Sequence, residues 1–521
     1  MMRWNGFNSF MKIWARKVFS LLLVYSIIFL VSFACSNHQG TQKATLETFT
    51  QQLDARISTI MDRYDIPGTS IALIQDRNLV WSNAYGYADI EQQKKLTIDA
   101  VCRTESISKS VTAWGVMKLV ERGLINLDDP VKQYLGNWSL PESEYNLDEV
   151  TIRRLLSNSA GIPLGSLGEE YSPSSEKPSL RQYLSEEVQL TYEPGSTYEY
   201  SNPGFNLLEL VIEEVTGRDF NDYMANELLI PLGMHNSSFD WDEEWSSRVP
   251  MGYDLQGNSV PPYVYPYKAS GGLFSTVEDI ARFAIAGMAQ GNKRQPKVLN
   301  RESIQDIQTP QINTSGIFSF VADDYGFGHF IETLPDGKKA VWHGGQGHGW
   351  MTHFHVIPET GDGIVIFSNS QRSWPFIAQV LNDWSRWTGF GPVKFGRIIK
   401  VVTGLRIIIG LVLLVTFWRA GQVFYGIITG YRKLKITPGK APIIRVTELA
   451  AGVAILTILI WSVSQDYLFI TSVFPVGAIW LGWVLLFLSL TLLCSALLPV
   501  LSNDQLSNLN HERNENKRKL A

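Results

Sequence analysis

The chain of 521 residues is poor in cysteine and has no excess of basic side chains. Its three cysteines, Cys35, Cys102 and Cys494, are too few and too scattered for a disulfide framework or a cysteine-rich metal cluster, although so low a count does not exclude an exported protein. Lys and Arg number 45 against 50 Asp and Glu, which gives a net charge of -5. That balance does not favour nucleic acid as a partner.

Long hydrophobic runs, in contrast, occur at both ends of the chain. Near the N-terminus the uncharged run VFSLLLVYSIIFLVSFAC follows several basic residues, an order typical of an export signal or signal anchor. We therefore predict such a segment over residues 1–35 and expect the next domain to lie outside the cytoplasm. Cys35 at the end of the run is either lipid-modified or part of a plain signal, cleaved or uncleaved.

Three further apolar stretches, 398–418, 449–463 and 473–501, approach the ~20 residues that a helix needs to cross a bilayer. We predict a membrane domain of three helices over 398–501 and a cytoplasmic tail over 502–521. Lys and Arg cluster between the first two stretches and in the tail, so the positive-inside rule places both in the cytoplasm. The expected location is the cell membrane, as a multi-pass protein. Burial of these helices in a soluble domain is the alternative.

Two cations interrupt the first of these stretches. Lys400 and Arg406 either reach back to the membrane surface or indicate a span that begins later along the chain.

Between residues 46 and 390 the pattern is mixed. A hairpin with a turn at 76–78 is predicted near the start, and strands with a turn at 358–363 near the end. One helical pattern begins at Ser106, and two others cover residues 205–216 and 277–286. We expect an α+β domain whose antiparallel sheet has its first and last strands as neighbours, flanked by helices, with an inserted helical lobe and a cleft between lobe and sheet.

The stretch RTESISKSVTAWGVMKLVE places Ser106 and Lys109 three residues apart at the start of a helix. Residues with this spacing lie on one helix face. The pair is either an ordinary helix cap with a solvated lysine or a nucleophile with its amine.

Two further motifs accompany this pair. In YEYSNPGFN, Tyr200 and Asn202 are two apart and point to the same side of an extended segment before a helix. In the strand VWHGGQ, the glycines after His343 would leave room for a substrate backbone at the strand edge.

Ser-x-x-Lys, Tyr-x-Asn and His-x-Gly in this order, with segments such as TIRRLLSNSAGIP and GGLFSTVEDIARF, resemble the serine hydrolases related to class C β-lactamases and DD-peptidases of the penicillin-binding type. The resemblance covers nearly all of 46–390 and implies a β-lactamase/transpeptidase-like fold. It implies an acyl-enzyme formed at Ser106, with Lys109 and Tyr200 as the other catalytic residues, and neither a cofactor nor a metal.

The resemblance also assigns substrate-binding residues. Asn202 would orient the substrate amide and Lys109, and the backbone N–H groups of Ser106 and Gln346 would form the oxyanion hole. His343 and Gly345 would belong to the strand along which the substrate lies.

The protonation of the catalytic amine is left open by the residues themselves. Lys109 can take the proton of Ser106 if it is neutral, or lower the pKa of Tyr200 if it is charged. The two groups would titrate as a coupled pair. In the family that the chain resembles, the tyrosine carries the proton to the leaving group.

Three residues depart from the family pattern. Glu105, before the nucleophile, is either a surface charge near a helix start or an inward carboxylate that favours a protonated lysine. His343 replaces the lysine of many β-lactamases, and Gly344 replaces a hydroxyl residue. A histidine is only partly charged near neutral pH, which predicts weak binding of a substrate carboxylate and favours peptidase, amidase or esterase activity.

The remaining candidates have structural interpretations. His348, His353 and His355 are expected in strands and loops rather than around a metal, because no acidic or cysteine partner has a ligand spacing. Cys102 is expected in the core. The loop YDLQGNSVPPYVYPY either packs on the lobe or contacts substrate.

The sequence therefore predicts a membrane-tethered, extracytoplasmic serine hydrolase. Amide, peptide, β-lactam and ester substrates are all chemically admissible, with cell-wall or D-amino-acid peptides expected. A penicillin-binding or peptide-sensing receptor with little turnover is the alternative, because three helices exceed what an anchor requires. The sequence does not indicate an oligomeric state.

Overall fold

The structure is a computed structural model that describes residues 45–166, 169–288, 298–434, 443–465 and 469–499. The chain divides into two compact units, Met1–Gln52 and Leu53–Ala521. In the first unit the described residues, 45–52, include the beginning of a helix. The predicted signal with Cys35 and the predicted tail lie outside the described residues.

The described elements number thirteen helices and thirteen strands, apart from short 3-10 and π turns. The helices are α1 Leu46–Tyr64, α2 Ile107–Glu121, α3 Ile152–Leu156, α4 Leu180–Glu187, α5 Asn202–Thr216, α6 Phe220–Met224, α7 Val277–Gly287, α8 Arg301–Ile307, α9 Trp374–Thr388, α10 Arg397–Ile428, α11 Ile443–Val463, α12 Phe469–Val473 and α13 Pro475–Leu497. The strands are β1 Gly68–Gln75, β2 Asn78–Asp89, β3 Lys94–Lys95, β4 Cys102–Arg103, β5 Gly252–Tyr253, β6 Ser259–Val260, β7 Phe274–Ser275, β8 Ile312–Asn313, β9 Asp324–Tyr325, β10 Phe330–Thr333, β11 Lys339–Gln346, β12 Met351–Ile357 and β13 Asp362–Ser368.

The main sheet has nine strands in the order β3-β2-β1-β13-β12-β11-β10-β9-β8. Its strand pairs are antiparallel, and β1 pairs with β13 in a register that sets Thr69 opposite Ser368. The first and last strands of the domain are therefore neighbours, as predicted. Helix α7 packs against β1, β2 and β13, and α9 packs against β13. The predicted α+β fold is confirmed.

The β1–β2 hairpin turns on two residues, Asp76 and Arg77, whose φ angles are 50° and 62°. Positive φ at both central positions gives a turn whose twist matches that of the flanking strands. Tertiary contacts hold this conformation without glycine: the Arg77 side chain donates to the carbonyls of Met288 and Pro358, each at 2.9 Å. The predicted position of this turn is confirmed.

The helical lobe inserted between β4 and β7 contains α2 to α6. Helix α2 is buried along nearly its whole length, because apolar residues lie on all sides of it. Helix α5 begins at Asn202, earlier than the predicted 205, because the Ser201 hydroxyl accepts the N–H of Gly204 at 2.9 Å and Pro203 occupies the first turn. Cys102 is buried on β4, which confirms its place in the core.

Three described helices, α10, α11 and α13, are long and apolar enough to cross a membrane. The first extends beyond the predicted 398–418, and the second begins before the predicted 449. Both predictions stopped at charges, but Arg419 of α10 pairs with Glu448 of α11, so these charges lie between the two helices. The third helix ends at Leu497, and α12 precedes it as a separate short helix.

Helix α10 follows shortly after α9, the last helix packed on the sheet. The backbone N–H of Lys394 donates to Glu332 Oε2 at 2.8 Å, and the Lys394 side chain pairs with Asp323. One turn later, Arg397 donates to the carbonyl of Phe320 at 3.1 Å. The start of this helix is therefore bonded to β10 and to the segment that precedes β9.

Candidate active site

Ser106 is the residue immediately before α2, and Lys109 lies in its first turn. The Lys109 ammonium nitrogen, Nζ, is 3.2 Å from Ser106 Oγ. It also donates to Asn202 Oδ1 at 2.7 Å and to the carbonyl oxygen of Ser270 at 2.8 Å. The structure thus brings the first motif together with the asparagine of the second.

Burial controls the charge of this amine. The Lys109 side chain is fully buried, and the loss of solvation lowers its pKa from 10.5 to about 7, while the nearby carboxylate of Glu105 acts in the opposite direction. A large fraction of Lys109 is therefore neutral at physiological pH. A neutral amine has two N–H groups and one lone pair. With both N–H groups donated to Asn202 and Ser270, the lone pair is left for the hydroxyl of Ser106.

The segment that carries Tyr200 is held by Asn158. The backbone N–H of Ser201 donates to Asn158 Oδ1 at 3.1 Å, and the N–H of Glu199 donates to the Asn158 carbonyl at 2.7 Å. The Tyr200 ring stacks on Phe318 with the ring centroids 5.2 Å apart, and Lys109 Nζ lies 4.8 Å from the Tyr200 ring centroid. Packing and backbone bonds therefore place the tyrosine beside the amine.

The carbonyl of Ser270 is a functional group that the sequence analysis missed. Two side chains of α5 fix its segment: Glu209 Oε2 accepts the N–H groups of Lys268 and Ala269, each at 2.7 Å, and Asn206 Oδ1 accepts that of Ser270 at 3.1 Å. Burial raises the pKa of Glu209 to about 8. The sequence signal for this role was the presence of two polar residues, Asn206 and Glu209, three apart on the apolar face of α5.

Glu105 is buried, so its interpretation as a surface charge is wrong. It pairs with Arg103, whose Nε is 2.8 Å from Glu105 Oε1, and it accepts hydrogen bonds from the hydroxyls of Tyr263 and Tyr265, each at 3.2 Å. Both tyrosines belong to the aromatic-rich loop, so that loop packs around the charge, and Tyr265 also lines the cleft. The φ angle of Glu105 is 50°, so the backbone turns sharply just before the nucleophile.

Gly345 lies where β11 closely approaches another segment of the protein. A Cβ at this position would lie 2.1 Å from the carbonyl oxygen of Thr104 and 2.3 Å from Thr352 Oγ1. A Cβ on Gly344 would lie 2.8 Å from the ring of Trp374. Glycine therefore lets β11 approach the segment that carries the nucleophile. The next residue, Gln346, lines the cleft and accepts a hydrogen bond from Trp374 Nε1 at 2.9 Å.

His343 is placed beside the catalytic groups but beneath the cleft wall. Its ring is fully buried, its Nε2 lies 3.2 Å from the hydroxyl of Tyr325, and its ring centroid is 6.2 Å from that of Tyr200. Burial, with the charge of Lys109 as a second cause, holds the pKa of His343 well below 6.5. The imidazole is therefore neutral, and the cleft is lined by its neighbours Trp342 and Gly344.

The other histidines occupy the predicted strand and loop positions. His353 and His355 are fully buried on β12, and His348, in the loop before that strand, contacts Glu170 at 3.0 Å. Within the part of the chain that the structure describes, no three His, Cys, Asp or Glu side chains are grouped as a metal site.

The pH dependence of hydrolysis should report the protonation of Lys109. Because its pKa is lowered to about 7, kcat/KM is expected to rise as the pH increases through that value. Glu105→Gln removes a negative charge that raises this pKa, so the rise should move to lower pH. A shift of half a unit gives about a two- to threefold gain in kcat/KM at pH 6. The measurement is a pH profile of kcat/KM.

Glu170→Gln is the control for that profile. It removes a carboxylate that lines the same cleft but is not a cause of the Lys109 shift. Its profile should match that of the unaltered protein. A Glu105→Gln profile that stays in place, in a protein with an intact thermal transition, would show that Glu105 only neutralises Arg103.

The fold is an antiparallel sheet with an inserted helical lobe, and its cleft is lined by Ser106, Tyr200 and Asn202, with buried Lys109 bonded to the first and the last. These features define the class of serine enzymes with the fold of β-lactamases and penicillin-binding proteins. The family model described as Beta-lactamase matches residues 53–382. The chain belongs to that family.

Curated relatives are similar to this chain over the same region. Protein flp of Staphylococcus aureus (strain MRSA252) is 26% identical over 341 residues, which cover 64% of this chain and 65% of that protein. Unguisins hydrolase ungD' of Aspergillus campestris (strain IBT 28561) is 26% identical over 364 residues, covering 64% and 66%. The chain thus spans slightly less than two thirds of the length of these relatives.

Solved structures agree with the fold. The octameric penicillin-binding protein homologue from Pyrococcus abyssi has a TM-score of 0.55 and 29% identity, and the match covers 64% of this chain and 77% of that one. A class C β-lactamase has a TM-score of 0.52 and 19% identity, covering 64% and 93%, which is a likeness of fold alone.

Proposed function

We propose that the protein is a serine hydrolase in which Ser106 forms an acyl-enzyme with an amide, peptide, β-lactam or ester substrate. The observation that carries this proposal is the hydrogen bonding of Lys109: both N–H groups of its neutral form have acceptors, and Ser106 Oγ lies on the remaining side. A lysine held in this way acts as a general base.

In the proposed reaction, the proton of Ser106 Oγ passes to Lys109 Nζ as Oγ attacks the acyl carbon. The N–H groups of Ser106 and Gln346 stabilise the oxyanion. Tyr200 then donates a proton to the leaving group as its bond to the acyl carbon breaks. The Tyr200 phenolate takes a proton from water as that water attacks the resulting ester, and Lys109 returns its proton to Ser106 Oγ as Oγ leaves.

Asn202 and the β11 strand would position the substrate. Asn202 already accepts a hydrogen bond from Lys109, and its amide N–H₂ remains available for a substrate carbonyl. Neutral His343 supplies no positive charge for a substrate carboxylate. This favours peptides, amides and esters without a required carboxylate next to the scissile bond, and cell-wall or D-amino-acid peptides that meet this condition are candidates.

The alternative is a penicillin-binding or peptide-sensing receptor with little turnover. The three apolar helices favour this alternative, because one would suffice as an anchor. A panel of D-alanyl peptides, a chromogenic cephalosporin and short-chain esters separates the two. An enzyme releases many equivalents of product per protein, whereas a receptor stops after one equivalent. The matched variant for this experiment is Ser106→Ala.

We also propose that the three helices cross the cell membrane and that the catalytic domain lies outside the cytoplasm. Arg432, after α10, donates to the carbonyls of Ser495 and Leu498 at the end of α13, and Arg445, at the start of α11, donates to that of Ala496 at 2.7 Å. One basic cluster therefore joins these three helix ends, which supports a common cytoplasmic side.

Labelling of introduced cysteines tests this orientation. In a Cys494→Ala background, a cysteine replacing exposed Lys433 should resist an impermeant thiol reagent in intact cells and react after lysis. Ser464→Cys, in the exposed turn after α11, should react in intact cells. Labelling of the first position and protection of the second would reverse the orientation.

A further inference from the structure

The cleft that contains Ser106 does not end at the catalytic residues. The same cavity, of about 640 Å³, continues along the sheet to the start of α10 and to the residues just before α13. Ile398 and Val401 of α10 line it together with Phe395 just before that helix, and Val473 and Phe474 line it just before α13. Two of the helices that are apolar enough to span a membrane therefore adjoin the catalytic cleft.

The lining of the cavity contains more apolar than polar residues. Glu170, Gln346, His348 and Gln371 are among its polar residues. Its apolar residues form a larger set: Ile317, Phe318, Phe320, Val321, Phe330, Trp342, Trp374, Phe395, Ile398, Val401, Val473 and Phe474. A peptide of ordinary composition does not require so extended an apolar wall, whereas a hydrocarbon chain does.

The length of α10 indicates where its cleft-lining residues lie relative to a bilayer. A helix of 32 residues is roughly 48 Å long, whereas the hydrocarbon core of a bilayer is about 30 Å thick. About twelve residues of α10 therefore lie outside the core. The cations Arg397, Lys400 and Arg406 mark its first turns as the part at the headgroup level. In the proposed membrane arrangement, the part of the cleft lined by Ile398 and Val401 therefore lies at the level of the membrane surface.

We propose that the substrate is an amphiphile: an ester or amide that carries a hydrocarbon chain of about eight carbons or more, which lies against the apolar residues at the start of α10. This inference rests on the proposed function. Ser106 Oγ forms a bond to the acyl carbon, the bond to the leaving oxygen or nitrogen breaks, and that atom takes a proton from Tyr200. Water then releases the acyl group from Ser106.

The test uses the full chain in phosphatidylcholine vesicles and p-nitrophenyl esters of acetate and octanoate. The rate with Ser106→Ala is subtracted in each case. Because each buried CH₂ favours binding by up to about fourfold, kcat/KM for octanoate should exceed that for acetate by at least about tenfold. A second pair, octyl acetate and ethyl acetate followed by acid release, tests a chain on the alcohol side.

Two neighbouring valines provide a matched pair of variants. Val401 is 37% exposed and lines the cleft, whereas Val402 lines a separate hollow of about 340 Å³. Asn and Val have similar helix propensity, so each substitution changes mainly the polarity of one wall. Val401→Asn should lower kcat/KM for the long-chain esters about five- to tenfold and leave acetate unchanged. Val402→Asn should leave both unchanged.

A long-chain umbelliferyl ester dissolved in the vesicle membrane distinguishes the sources of the amphiphile. Hydrolysis of this ester indicates a substrate resident in the membrane, and hydrolysis of the soluble octanoate alone indicates one delivered from water; both support the proposal. Ser106-dependent hydrolysis with no preference for a long chain in either ester pair, or equal effects of the two valine variants, overturns the proposal and leaves the proposed function standing. If no Ser106-dependent turnover is observed with any substrate, the proposed function fails as well.

Discussion

Ser106→Ala is expected to abolish turnover of every substrate, with a loss of at least about 10⁴ in kcat, because the variant has no atom that can form the acyl-enzyme. The loss should not reflect unfolding, since Ser106 precedes α2 and its side chain makes no helix-capping hydrogen bond. The measurements are steady-state hydrolysis, labelling by a fluorophosphonate probe and a thermal melt.

Ser166→Ala is the control for the nucleophile. This exposed serine is two residues after Leu164, which lines the cleft, so its loss is a test of a nearby serine that is not the nucleophile. It should retain full turnover and full labelling. Undiminished turnover or labelling in Ser106→Ala would exclude the proposed acyl-enzyme mechanism.

Tyr200→Phe is expected to lower kcat by about 10² to 10⁴ and to change KM far less, because it removes the proposed proton carrier and keeps the ring. The ring stacks on Phe318, and phenylalanine preserves that contact. Pre-steady-state kinetics with an ester that has a chromogenic leaving group would separate acylation from deacylation. The loss should appear in whichever step needs the proton transfer.

Tyr198→Phe is the matched control. Tyr198 lies two residues earlier, is buried, and packs on the same Phe318 ring with the centroids 5.7 Å apart. Removal of the Tyr198 hydroxyl should change kcat by less than about threefold, since Tyr198 does not line the cleft. A Tyr200→Phe defect confined to KM would assign the tyrosine to substrate recognition instead.

Local patterns predicted the parts of the site that depend on neighbouring positions. Ser106 and Lys109 are three apart on a helix, and the helix geometry alone brings their side chains together. The contact between Lys109 and Asn202, 93 positions apart, followed only from the family resemblance, because sequence spacing carries no information about such a pair.

The features that the sequence analysis missed concern residues whose partners are distant in sequence. The partners of Glu105 in the aromatic-rich loop lie about 160 positions further along the chain, so its burial could not be predicted from the residues around it in sequence. The close approach of Gly345 to a carbonyl of another segment is a feature that no strand pattern reveals, and the sequence analysis did not predict it. The continuation of the cleft to α10 depends in the same way on tertiary packing.

The pairing of β1 with β13 also governs when the domain can fold. The hydroxyl of Thr69 donates to the carbonyl of Phe367, and these residues are 298 positions apart. Until β13 has been synthesised, β1 of the β1–β2 hairpin has one unpaired edge, although it lies in the interior of the finished sheet. Contacts so distant in sequence make folding slow and leave partly folded chains prone to aggregation. We therefore expect nascent chains that stop before β13 to require chaperone protection.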